Sequence, residues 1–154
     1  MSQVLTRYAS IDDAQAIAPL LDKYRQFYGQ ASDLSRSLAF ILERFFLGES
    51  IIIVAELDQR VVGFSQLFPS FSSVTLERLW ILNDLYVDEE QRGAGAGLAL
   101  LNAARKLGVD TQAKQLFIEG AEDNPKARNI YTQFGFIENS DYHYYHLPLK
   151  HAQG

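Results

Sequence analysis

The chain has no cysteine in 154 residues. Disulfides, thiolate zinc sites and a cysteine nucleophile are therefore excluded together. Long apolar runs are also missing. No pure one is longer than the stretch from Ile51 to Ala55, whereas a membrane-crossing helix needs about 20 such residues. The opening stretch MSQVLTRYASIDD has no apolar segment behind a basic cluster, so no signal peptide is expected and a cytoplasmic location is. Positive charge is in deficit: 14 Lys and Arg against 19 Asp and Glu, a formal net charge of -5. Phosphate backbones are bound by clustered cations, so neither nucleic acid nor a membrane is expected as a partner. An acidic chain is compatible with a cationic small molecule. Nor is there any repeat, low-complexity run or Pro/Gly/Ser-rich linker.

What remains is one domain's worth of ordinary globular sequence. Hydrophobic residues make up 47% and charged residues 21%. That length buries a core without staples, so residues 1–154 read as a single domain.

The apolar spacing sets out the elements. Val4 to Tyr8 reads as a short strand. Ser10 to Asp13 forms a Ser-x-x-Asp capping box, and the helix it opens carries Ala14, Ile17, Leu20, Leu21, Tyr24 and Phe27 on one face. Gly29 to Ser32 breaks it. A second helix places Leu34, Leu38, Ile41, Leu42 and Phe45 on one face and stops at Gly48. Ile51 to Leu57 is β-branched, hence a strand. It turns at Asp58-Gln59-Arg60 and returns as Val61 to Phe68. Leu76 to Val87 is a third long strand. A helix with Leu98, Leu101, Ala104 and Leu107 follows, which Gly108 is expected to end. Leu116 to Glu119 is a short strand. Asn124-Pro125 opens a last helix, with proline in its first turn, and it ends at Gly135. Phe136 and Tyr142 to Leu149 read as the last strands. The order is β-α-α-β-β-β-α-β-α-β-β. Hairpins require antiparallel pairing in the first half, and the crossover from Leu82 to Glu119 requires a parallel pair. The fold class is α+β with a mixed sheet flanked by helices.

Between the third long strand and its helix lies Arg92-Gly93-Ala94-Gly95-Ala96-Gly97. Glycines at alternate positions leave backbone N–H groups open and let an anion approach closely. Arg92 adds a fixed positive charge. The loop is not a Rossmann fingerprint: counted from Gly93 the third glycine position is Leu98, and from Gly95 it is Leu100. Nor is it a P-loop, since Leu98 and Ala99 follow Gly97.

The Arg-x-x-Gly-x-Gly pattern directly after Leu82-Asn83-Asp84-Leu85-Tyr86-Val87 resembles the acetyl-CoA site of the GNAT superfamily of N-acetyltransferases. Asn124 to Phe136, ending Tyr131-Thr132-Gln133-Phe134-Gly135-Phe136, is similar to that family's Asn-to-Tyr helix with its Gly-Phe end. The likeness is sharpest from Trp80 to Phe136, and Trp80 to Val87 most resembles the histone/polyamine-acetyltransferase branch.

The resemblance implies a GNAT-like acyl-CoA N-acyltransferase fold that takes acetyl-CoA as donor cosubstrate and needs no metal. It implies that Arg92, Gly93, Ala94, Gly95, Ala96, Gly97 and Leu98 hold the CoA pyrophosphate. Leu85, Tyr86 and Val87 would pair their backbone with pantetheine, at a strand opened by a bulge or splay. Asn124 and Ala127 would line the pantetheine arm, and Tyr131 would stand beside the thioester sulfur as the acid that helps the thiolate leave. A backbone N–H near Tyr86 or Val87 would hold the oxyanion.

The base does not follow the family pattern. Polyamine acetyltransferases of this family carry Glu where this chain has Asn83, and an amide is no base. Asp84 is adjacent, but neighbours on a strand face opposite sides. Glu77, farther up the strand, is the third candidate, acting through water. Among the aromatics Phe27, Tyr28, Phe40, Phe45 and Phe46, Tyr28 beside the Gly29 break is the candidate for the acceptor site, and helical spacing gives Phe45 to the core. His143 and His146 point to opposite faces of a strand and cannot chelate together. The expected activity is transfer of acetyl to a primary amine of a small molecule or peptide by direct attack. The alternative is a CoA-binding regulatory or interaction module without efficient turnover. The late strand Tyr142 to Leu149, as an edge, is expected to pair two chains into a homodimer.

Overall fold

The computed structural model describes residues 3–120, 124–139 and 141–150. The chain forms two compact units, residues 1–119 and 120–154. In the first, β1 (Leu5–Tyr8) is followed by α1 (Ala14–Phe27) and α2 (Leu34–Leu47). Then come β2 (Ile51–Leu57), β3 (Arg60–Ser72), β4 (Glu77–Val87), α3 (Ala96–Asp110) and β5 (Leu116–Phe117). The second unit holds α4 (Pro125–Phe134). The sheet runs β1-β2-β3-β4-β5. It is antiparallel from β1 to β4 and parallel between β4 and β5, so the mixed α+β fold is the one expected.

The β2–β3 hairpin closes on Asp58 and Gln59, at φ 52° and 65°. Positive φ at both central residues gives a turn twist that matches the strands. One face of the sheet packs on α1 and α2 through Ile17, Leu20, Leu21, Ile41, Phe64 and Tyr86. Full burial of each such side chain contributes roughly 1.5–3 kcal/mol. The other face meets α3, whose Leu100, Leu101 and Ala104 are buried.

The α1–α2 connection is held by a buried carboxylate. Asp22 accepts hydrogen bonds from the Ser32 hydroxyl at 2.6 Å, the Asp33 N–H at 2.7 Å and the Ser37 hydroxyl at 3.3 Å. Arg25 stands 3.3 Å from it. The Ser32 hydroxyl first, and then the Asp33 N–H, hold the Asp22 carboxyl below the usual carboxylate range. Asp33 in turn caps α2, accepting from the Arg36 N–H.

Two expectations change. Gly108 does not end α3, which continues to Asp110. A Cβ there would meet the Leu116 side chain at 3.4 Å, an ordinary contact, so this glycine neither stops the helix nor is demanded by its neighbours. Residues 136–139 and 141–150 carry no strand. The aromatic residues of Tyr142 to Leu149 favour a strand, but a strand exists only with a ladder partner.

Asp22→Asn tests the carboxylate that joins α1 to α2. An amide oxygen cannot accept at both former carboxylate positions, so the variant should unfold at lower urea than the native chain near neutral pH. A group with a lowered folded value stabilises above its unfolded value and loses that contribution as the pH falls through the folded one. The gap between the two midpoints should therefore close in acid. A gap that stays constant with pH would show that charge plays no part.

Candidate active site

The site grows from one irregularity in β4. Leu82 pairs with Leu67, yet Asp84 pairs with Gln66. Two residues of β4 separate adjacent residues of β3, so Asn83 is the extra residue of a β-bulge. Paired residues share a face. Leu82 therefore sits on the α3 side with Leu67, while Asp84 and Tyr86 sit on the α1/α2 side with Gln66 and Phe64. Simple alternation set Asn83 and Asp84 on opposite sides. The bulge corrects that, and both line one cavity of about 310 Å³.

Leu21, Ser37 and Asp84 are buried and form its floor. Tyr24 and Asn83 line its wall, and Tyr28, Arg36 and Phe40 stand at its exposed rim. Tyr24 stacks edge-on with Tyr28 at 5.1 Å and with Tyr86 at 5.9 Å, and its hydroxyl donates to the Asn83 carbonyl at 3.3 Å.

Asp84 is 6% exposed. Gln66 Nε2 donates to one of its oxygens at 2.5 Å, Asn83 Nδ2 to the other at 3.1 Å, and Ser50 donates to Gln66 Oε1 at 2.8 Å. Burial pushes the Asp84 carboxyl up, and the Gln66 and Asn83 bonds only partly offset it. A carboxyl raised toward neutrality is better matched to proton transfer than one at its ordinary value. Glu77 is not brought to this place. It stands exposed at the start of β4, six residues before Asn83, about 20 Å away at ~3.3 Å per residue.

Beyond the bulge β4 opens. On one side it stays paired with β3 to Val87. On the other it meets β5 only at Trp80 and Ile81. Leu85, Tyr86 and Val87 thus have one edge with no strand beside it among the described residues. The chain then makes a short helical turn over Glu89–Gln91 and enters the glycine loop. Gly93 and Gly95 hold φ 93° and 91°, conformations that favour glycine. Gly95 is the N-cap of α3 and no side chain caps that end. A helix N-terminus carries about half a positive charge together with unpaired N–H donors. Ala96 is buried, whereas Leu98 is exposed. Arg92 is anchored beside the opened edge: its Nε donates to the Val87 carbonyl at 3.1 Å, and its guanidinium lies 5.5 Å from the centre of the Tyr86 ring.

The model of the Acetyltransferase (GNAT) family matches residues 15–136. The chain belongs to the GNAT acetyltransferase family. It is 45% identical over 146 residues to the uncharacterized N-acetyltransferase YhfO of Bacillus subtilis (strain 168), covering 94% of this chain and 98% of that one. It is 36% identical over 110 residues to a probable acetyltransferase of Haemophilus influenzae (strain ATCC 51907 / DSM 11121 / KW20 / Rd), covering 71% and 75%. A crystal structure of a probable acetyltransferase superposes with a TM-score of 0.88 at 37% identity, covering 97% and 99%. The protein is thus an acetyltransferase, and GNAT enzymes act on amines with acetyl-CoA as donor.

The remaining GNAT motif lies in the second unit. Asn124 caps α4: its Oδ1 accepts from the Ala127 N–H at 3.1 Å. Tyr131 lies two turns on and packs edge-on with Phe136 at 5.8 Å. Gly135, at φ 121°, ends the helix. Among the described residues no group of three His, Asp or Glu is placed to hold a metal, and no helix is long and apolar enough to cross a membrane.

The sequence reading missed Gln66, Arg36 and Ser50. Gln66 carried a signal, being a polar side chain amid the apolar residues of a central strand. The other two carried none.

The raised Asp84 gives a stability test. Its folded value lies above its unfolded one, so the native state should lose stability as the pH rises between the two. Asp84→Asn should remove that slope, measured as urea midpoints across the acid and neutral range. An unchanged slope would mean that Asp84 does not titrate in the folded chain.

Proposed function

We propose that this GNAT enzyme binds acetyl-CoA along the opened edge of β4 and passes its acetyl group directly to a primary amine held in the cavity over Asp84. The observation that carries this reading is the adjacency of three features in one stretch: the bulge at Asn83, the unpaired edge at 85–87, and the uncapped N-terminus of α3. The N–H groups from Arg92 to Leu98 suit a pyrophosphate. Leu85, Tyr86 and Val87 offer pantetheine the backbone groups that a missing strand would have used. A backbone N–H at Tyr86 or Val87 suits the oxyanion.

In this reading the acceptor nitrogen loses its proton to Asp84, directly or through a water, and attacks the thioester carbon. The C–N bond forms, the C–S bond breaks, and the CoA thiolate takes a proton. Of Asn83, Asp84 and Glu77, Asp84 is the base: it is the carboxyl in the cavity, and burial raises its proton affinity. Asn83 holds it by a hydrogen bond. Tyr131 supplies the proton to sulfur, while Asn124 and Ala127 line the pantetheine arm. This reading therefore joins both units into one N-acetyltransferase domain over residues 1–154. It also places the enzyme in the cytoplasm, where acetyl-CoA is available. A homodimer belongs to it too, because the exposed aromatic segment Tyr142 to Leu149 has no ladder partner among the described residues.

Gly97→Val tests the loop. A Cβ at Gly97 meets nothing within 4 Å, and its φ is not among the positive ones, so the fold should tolerate the side chain. A pyrophosphate approaching the backbone should not. Acetyl-CoA affinity by calorimetry should fall by about 10–100-fold, roughly 1.4–2.8 kcal/mol. Unchanged affinity would remove the loop from the site.

Tyr131→Phe tests the acid. The ring and its packing on Phe136 stay, so acetyl-CoA binding should hold. Turnover at saturation should fall by about 10²-fold, the lower end for general acid–base catalysis, since a thiolate is a competent leaving group. Full turnover in a variant that binds acetyl-CoA normally would make Tyr131 a packing residue.

A further inference from the structure

The cavity over Asp84 has an asymmetry that catalysis alone does not require. Its floor is acidic and its rim is cationic. Arg25 and Arg36 both line it. Arg25 is committed to the fold, donating to the Ala31 carbonyl at 3.1 Å and standing 3.3 Å from Asp22. Arg36 is different. Its backbone N–H is used in the α2 cap, while its exposed guanidinium has no hydrogen-bond or ion-pair partner among the described residues. Arg44, whose guanidinium lies 4.2 Å from the centre of the Phe40 ring, is committed as well, standing 3.3 Å from Glu43 and 3.1 Å from Glu49.

The chain as a whole is acidic. An unpaired guanidinium at the mouth of its acceptor cavity therefore runs against its general field. Guanidinium is the side chain suited to a carboxylate, because its planar fork donates two parallel N–H bonds. Any further ammonium group on the acceptor would meet the Arg36 guanidinium at the rim and be repelled. The cavity volume is at the small end of the ~300–1,000 Å³ range of ligand sites.

Building on the acetyl-transfer reading above, we propose that the acceptor is a small amino acid-like zwitterion, with its amine over Asp84 and its carboxylate bound by Arg36 at the rim. Arg36 is then the specificity-determining residue. Tyr28 and Phe40 enclose the acceptor between the two charges. Polyamines and other acceptors with several ammonium groups are disfavoured by the same rim.

The experiment compares matched acceptors with the full-length enzyme and acetyl-CoA: a series of α-amino acids, the amines that result from their decarboxylation, and spermidine. Native enzyme should prefer members of the first set over their decarboxylated counterparts by about 10–100-fold in kcat/KM, the scale of one charged hydrogen-bonded contact. Arg36→Gln should collapse that ratio toward one through a higher KM for the carboxylates, with kcat little changed. Arg36→Lys, which keeps the charge and loses the fork, should fall between. Faster acetylation of the decarboxylated amines or of spermidine by the native enzyme would overturn the zwitterion and leave acetyl transfer standing. Equal losses on both sets in Arg36→Gln would overturn the role of Arg36. Acetylation of no member of the panel, with acetyl-CoA still bound, would overturn this proposal alone and leave transfer to another class of amine standing.

Discussion

The whole arrangement depends on one extra residue in β4. With Asn83 in the strand as a bulge, the side-chain alternation of β4 reverses halfway along its length. Trp80 and Leu82 serve the α3 side of the sheet, and Asp84 and Tyr86 serve the other. A regular strand would have sent Asp84 toward α3, under an apolar helix face. The bulge brings it beneath α1 and α2, where a cavity exists. Bulges increase local twist and bend the strand that carries them, and it is just above Leu82 that β4 and β5 cease to pair. One irregularity thus does two things: it re-aims a carboxyl and accompanies an opened backbone edge.

The polar groups around that carboxyl show what the cavity costs in stability. The buried polar side chains are Asp22, Ser37, Ser65, Gln66 and Asp84. Four of these five lie on the α1/α2 side or in the helix connection above it. Each needs a partner, because an unsatisfied buried polar group costs about 1–3 kcal/mol. Asp22 gains its partners from the α1–α2 connection and Asp84 from Gln66 and Asn83. Ser65, on the α3 side, has a buried hydroxyl with no partner among the described residues, and nothing in the structure explains it. The two aspartates go opposite ways for one reason. Hydrogen bonds to the charged form dominate at Asp22, and loss of water dominates at Asp84. The first is therefore a brace, and the second can hold and release a proton.

What the sequence revealed was local in origin. Alternate glycines after a strand, an Asn-Pro helix start and a Gly-Phe helix end are signals a few residues long, and each is realised at its expected place. Strand pairing followed from short turns and one crossover. The errors concern information that is not local. Gly108 looked like a helix stop, because glycine usually is one, but α3 continues through it to Asp110, with Thr111 as the C-cap. The side faced by Asp84 depends on register with β3, which no window of β4 contains. Tyr142 to Leu149 has the aromatic content of a strand, but composition does not supply a partner. Arg36 was invisible for the same reason, since an arginine on the polar face of a helix has the same sequence signature whether it faces water or a cavity.

This difference between local and non-local signals explains why the donor side of such an enzyme is easier to read than the acceptor side. A pyrophosphate is bound by backbone N–H groups, and backbone geometry is written in glycines and helix starts. In the proposed reading an acceptor is bound by side chains from α1, α2 and β4, which come together only after folding. Among them, charge placement carries the discrimination. Apolar walls tolerate many shapes, whereas a charged group met by a like charge, or left unpaired, loses several kcal/mol. In this cavity Asp84 is fixed by the bulge and Arg25 by its bond to Ala31 and its pairing with Asp22. The guanidinium of Arg36 has no hydrogen-bond or ion-pair partner among the described residues, which makes it the position where a change of acceptor would cost the fold least.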